Sequence, residues 1–77
     1  MSSVHDEALA ARVRNSLAMD KRVSGLPVDA RVSNGDVFLK GSVNSLEEAD
    51  VIQFIVSGIP AVRHVDVSEL EIREKDR

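Results

Sequence analysis

From Val28 to Val43 the chain alternates apolar and polar residues on both sides of Asn34-Gly35. Strict alternation is the pattern of a strand with one buried face. Asn-Gly is the commonest pair for a two-residue type I′ turn, because both central positions need positive φ. The stretch therefore predicts a β-hairpin, with strands over about 28–33 and 36–43, in which Asn34 and Gly35 have a structural role. Closing it on a two-residue turn sets Ser33 opposite Asp36, Val32 opposite Val37, Arg31 opposite Phe38, Ala30 opposite Leu39, Asp29 opposite Lys40 and Val28 opposite Gly41. One face then carries Val28, Ala30, Val32, Val37, Leu39 and Val43; the other carries Asp29, Arg31, Ser33, Phe38, Lys40 and Ser42. Gly41 falls on the apolar face, and a missing side chain there predicts close approach by a helix backbone.

On either side of the hairpin the period lengthens. Leu9, Val13 and Leu17 recur at i, i+4 and i+8, with Val4, Ala10 and Ala11 nearby, which predicts a helix over about 4–19. Ser2 and Ser3 are its candidate N-caps, and Asp6 and Glu7 suit the positive end of its dipole. Arg12 and Arg14 lie on opposite flanks of the apolar stripe and read as solvated charges. Asp20 to Pro27 breaks the helical pattern, and Pro27 biases Leu26 toward an extended backbone. After the hairpin, Ser45-x-x-Glu48 is a capping box with Ser45 as N-cap. It opens a helix over about 46–58 whose apolar set is Ala49, Val51, Ile52, Ile55, Val56 and Ile59, ended by Gly58 and Pro60. Val65 and Val67, then Leu70 and Ile72, predict a strand over about 65–72 with a shift of parity, hence a bulge around Ser68-Glu69. The charged tail Glu74 to Arg77 is expected to fray.

The predicted order is α-β-β-α-β, an α+β chain folded as a two-layer α/β sandwich. A right-handed crossover lays the third strand parallel to the second. The sheet is then mixed and three-stranded, in order 1-2-3, with both helices on one face.

At 77 residues the chain has room for one domain, 1–77, with a small core. Apolar residues make up 43% and charged residues 30%, ordinary for a globular fold and unlike a disordered chain. No stretch approaches the roughly 20 apolar residues of a membrane helix. The start M-S-S-V-H-D-E-A-L lacks the basic start and apolar run of a secretory signal. That leaves a cytoplasmic chain, or a domain or mature form cut from something longer. The sequence has no cysteine, so disulfides and thiolate catalysis are excluded. A net charge of −3 argues against nucleic acid and, weakly, against anionic membranes.

No catalytic, cofactor or metal site is legible. His5 and His64 have no second ligand at i+3 or i+4, and no nucleophile sits beside a base in a known motif. Glu47, Glu48 and Asp50 are accounted for by the dipole of their own helix. Gly25, Gly35, Gly41 and Gly58 form neither G-x-G-x-x-G nor a P-loop, and the G-x-x-G loop of an RNA-binding KH domain is missing. Two aromatics stand out. Phe38 lies on the open face of the hairpin, and Phe54 falls nearly opposite the apolar stripe of its helix. Arg31, Phe38, Lys40 and Phe54 are therefore the candidate contact residues.

Three segments together resemble the BON domain, a small bacterial module named for osmotically induced and nodulation proteins. They are D-E-A-L-A-A-R-V-R-N-S-L-A-M-D-K-R-V at 6–23, V-S-N-G-D-V-F-L-K-G-S-V at 32–43 and I-P-A-V-R-H-V-D-V-S-E-L-E-I at 59–72. The most specific piece is N-G-x-V-x-L-x-G-x-V, in which Gly41 matches the family's strand glycine. The family usually has glycine before the valine at Ala61-Val62, so alanine there requires a turn with negative φ or some strain. The resemblance implies a binding or attachment module, not an enzyme, proposed to associate with phospholipid membranes or partner domains in the periplasm or envelope. The alternative is a small-ligand or potassium-like cation sensor, in which loops such as Asp20 to Pro27 supply carbonyls. A monomer is the default. Membrane binding is expected to be weak, because Lys40 faces Asp29 and Arg31 faces Phe38, leaving Arg31 and Arg73 as scattered positives.

Overall fold

A computed structural model describes residues 4–73; Ser2, Ser3 and the tail from Glu74 lie outside the described residues. The elements are α1 (Val4–Ala18), β1 (Val28–Ser33), β2 (Asp36–Val43), α2 (Leu46–Ser57) and β3 (His64–Ile72). β1 and β2 pair antiparallel in the register set by the two-residue turn, from Ser33 opposite Asp36 to Val28 opposite Gly41. Asn34 and Gly35 take φ of 54° and 85°, the left-handed pair that a type I′ turn needs. β3 lies parallel to β2, giving a mixed sheet in the order β1-β2-β3.

Both helices cover one face of this sheet. Leu9, Ala10, Val13 and Leu17 of α1 and Ile52 and Val56 of α2 are buried with Ala30, Val32, Val37, Leu39 and Val43. Val23 and Ile59 close the core from the loops. Val4 and Ala11, expected beside the α1 stripe, are exposed instead, because the helix leans on the sheet through its Leu9-Val13-Leu17 row alone.

α2 starts where the capping box places it. The Ser45 hydroxyl accepts from the Glu48 N–H at 3.2 Å, while the Glu48 carboxylate accepts from Asn44 N–H at 2.7 Å, one residue before the N-cap. The helix ends at Gly58, which stays right-handed at φ −83°. The left-handed residue of the connection is Ala61, at φ 79°, so the alanine takes the strained alternative and not the turn with negative φ.

Two expectations are corrected. Gly41 makes room for a strand, not for a helix: a Cβ there would run into the Pro27 carbonyl and lie 2.8 Å from the Val28 Cα. With φ at 139°, the residue is also in a backbone region that disfavours side chains. The bulge lies one residue earlier than expected. Phe38 pairs with Asp66 and Lys40 with Glu69, so Val67 and Ser68 together oppose Leu39. Asp66 takes the extra residue in hand, accepting from the Ser68 N–H at 2.8 Å and its hydroxyl at 2.6 Å.

Candidate functional site

With both helices on one side, the other face of the sheet is open, and the register orders it into rows. β2 runs through the middle. Arg31, Phe38 and Asp66 form one row; Asp29, Lys40 and Glu69 form the next. Ser33, Asp36 and His64 lie at one end, and Ser42 with Glu71 at the other. Phe38 is 41% exposed at the centre of this face. A shallow cleft of about 640 Å³ beside it is lined by Arg31, Phe38, Asp66 and Glu69 and continues round the β1 edge to Glu7 and Arg14.

The charges of the face are unequal. Asp29, Asp36, Asp66, Glu69 and Glu71 contribute five carboxylates; Arg31, Lys40 and Arg73, next in the same alternation, contribute three cations. Reading the hairpin by itself misses β3's share of this acidity. The parity shift was the available signal, since putting Val65, Val67, Leu70 and Ile72 inward puts Asp66, Glu69 and Glu71 outward. Lys40 does face Asp29 across the strands, yet Asp29 is engaged elsewhere: its Oδ1 accepts from Arg14 Nε at 3.0 Å. Lys40 has Glu69 on its other side.

Arg14 is the main correction to the charge reading. Its guanidinium also donates from Nη2 to the Ala30 carbonyl at 2.9 Å, so it clamps α1 to the outer edge of β1 and is not simply solvated. In a hairpin closed by two residues, Ala30 belongs to a non-hydrogen-bonded pair, and its carbonyl points away from β2. Arg14 covers this edge group, and Pro27 precedes the strand; on β3, the bulge and the Asp66–Ser68 contacts interrupt the other edge. Charged cover and bulges of this kind discourage strand addition. Contacts are therefore directed to the faces.

Three carboxyls sit below their ordinary value for local reasons. Hydrogen bonds from Arg22 lower Asp20 to about 2. The Arg14 hydrogen bond lowers Asp29, and those from Ser68 lower Asp66. All three stay ionised at neutral pH, so the open face keeps its negative bias. At the far end of the hairpin, Asp6 is buried and accepts from the Asn34 N–H at 3.1 Å, tying α1 to the turn. Nothing in the spacing of the sequence marks this long-range contact.

Phe54 is not part of this face. It projects from the outer side of α2, 77% exposed, so the structure separates it from Arg31, Phe38 and Lys40. Of the residues expected to be structural, Asn34 and Gly35 form the turn, Gly41 admits the β1 backbone and Ser45 caps α2. Among the described residues no group of three or more His, Cys, Asp or Glu side chains could hold a metal ion. No described helix is long and apolar enough to cross a membrane.

Comparison with solved structures finds the same fold in the C-terminal domain of CdsD, the structural protein of the type III secretion system of Chlamydia trachomatis, at a TM-score of 0.69 and 14% identity. The match covers 87% of this chain and 33% of that one, so this chain spans about a third of its length. No curated protein matches in sequence. The family model of the BON domain matches residues 5–74, nearly the whole chain and including the hairpin glycines and the Ala61 turn. The chain belongs to the BON domain family.

Proposed function

We propose that this BON domain is a non-catalytic interaction module that docks a protein partner on its open sheet face. One observation carries the reading: Phe38 stands exposed in the middle of an uncovered sheet face, flanked by Arg31 and Asp66 in a single cross-strand row. An aromatic ringed by charges of both signs suits a protein surface, which offers apolar anchors and paired polar groups together. The blunted edges favour docking on the face over strand addition. The occurrence of this fold in a protein described as structural supports an interaction role over a catalytic one.

An anionic bilayer is the poorer partner for this face. Each basic residue near such a surface is worth about 1 kcal/mol, and here the carboxylates outnumber the cations. The test is comparative. The native chain and its Phe38→Ser variant are expressed at matched levels in the host and recovered by the same affinity tag. The reading predicts equal abundance and an equal melting temperature, with named co-purifying proteins depleted in the variant. The same set of proteins at the same ratio in both would overturn it.

A further inference from the structure

The helical layer presents a second surface, separate from the open face. α1 buries Leu9, Ala10, Val13 and Leu17; at 100° per residue, Val4, Ala8, Ala11, Asn15 and Ala18 lie on its far side. α2 buries Ile52 and Val56 and turns Glu47, Asp50 and Phe54 outward. Of the six exposed large apolar side chains, four belong to this layer or its ends: Val4, Met19, Leu46 and Phe54. Clustering of that kind marks contact surfaces, whereas single exposed apolar residues need no explanation.

The outer sides of the two helices are complementary in shape and in charge. On α1, Ala8 and Ala11 leave a low surface, and Arg12 flanks it with no ion pair among the described residues. On α2 the surface is bulky and acidic, with Phe54 rising between Glu47 and Asp50. The helices lie side by side and face the same way, so these surfaces cannot meet within one chain. A two-fold rotation brings each helix of one copy over the other helix of a second, making both contacts at once. We propose that the chain self-associates in this way, with Phe54 of each copy seated on Ala8 and Ala11 of the other, and Arg12 of each paired with Asp50 of the other. The interruptions of both sheet edges leave helix packing as the route to a dimer, and the open face with Phe38 stays free on the outside.

The test is a dilution series of the full chain by sedimentation equilibrium, together with amide spectra. The mean mass should rise toward twice the monomer with concentration, while the amides of Ala8, Ala11, Arg12, Asp50 and Phe54 shift in step. Phe54→Ser should weaken association by about tenfold or more without changing the melting temperature. Arg12→Glu and Asp50→Arg should each weaken it by about tenfold through like-charge contact. The double variant Arg12→Glu/Asp50→Arg should recover most of the loss, since its swapped charges again meet across the copies. A chain that stays monomeric to millimolar concentration, shifts confined to Phe38 and Lys40, or a double variant as weak as the singles would overturn the proposal. So would Phe54 signals that respond only to phosphatidylglycerol vesicles, because lipid would then be the occupant.

Discussion

Arg14 donates to the Ala30 carbonyl at 2.9 Å and to Asp29 at 3.0 Å, so one side chain both joins α1 to the sheet and covers the edge of β1. The guanidinium is half exposed, which discounts the ion pair with Asp29; the hydrogen bond to the carbonyl is worth about 1 kcal/mol. Arg14→Ala should therefore lower the melting temperature by about 4–8 °C, the usual shift for 1 kcal/mol in a domain of this size. It should also increase aggregation on heating, because an edge carbonyl is uncovered. A melt identical to the parent's would mean that the clamp is not formed in solution.

Phe38 and Leu39 are neighbours on opposite faces of β2, one 41% exposed and the other 1%. Leu39→Ala should cost about 2–5 kcal/mol, as should Ile52→Ala on the facing helix, since each removes a fully buried aliphatic side chain. Phe38→Ser should cost under about 1 kcal/mol, as expected for a surface position. Denaturant midpoints for the three variants check this. Equal losses at 38 and 39 would contradict the assignment of faces.

Gly41 and Ala61 both have positive φ, and substitutions at the two should act in opposite directions. Gly41→Ala adds a Cβ against the Pro27 carbonyl and should cost more than about 1 kcal/mol. Ala61→Gly relieves a left-handed alanine and should stabilise by about 0.5–1 kcal/mol. The two melts, run side by side, decide it: stabilisation by Gly41→Ala or destabilisation by Ala61→Gly would show that backbone conformation is not the governing term at that position.

The contrast between what the sequence conveys and what it hides follows sequence distance. Asn34-Gly35 sets the hairpin register because turn chemistry is local, and Ser45-x-x-Glu48 places the start of α2 for the same reason. The parity shift in β3 signals a bulge but locates it one residue late, because the unpaired residue is chosen by pairing with Leu39. Arg14 on Ala30, Asp6 on Asn34 and Pro27 against Gly41 are long-range contacts that depend on how the layers meet. Of the candidate site, the central residues Arg31, Phe38 and Lys40 are legible from alternation. Phe54 reads as outward-facing, but only the layer arrangement assigns it to a different surface.

Asp20, Asp29 and Asp66 all sit below the ordinary carboxyl value. Between their folded and unfolded values the unfolded chain binds more protons. The stability they contribute is therefore complete above about pH 4 and is lost as the pH falls toward about 2, the folded value of Asp20. The melting temperature should be flat near neutrality with respect to these groups and decline below about pH 4. Asp20→Asn should make that decline shallower by removing one of the three. An unchanged acid limb would mean that the Asp20–Arg22 pair does not persist in solution.

The central claim is that the open face serves protein and not lipid, and titration of the isotopically labelled chain with phosphatidylglycerol vesicles at physiological salt tests it most directly. With five carboxylates against three cations around Phe38, the account predicts that the chain stays in the supernatant and that the amide signals of Arg31, Phe38 and Lys40 keep their intensity. Quantitative pelleting, or a saturable loss of those three signals that Phe38→Ser abolishes, would contradict it.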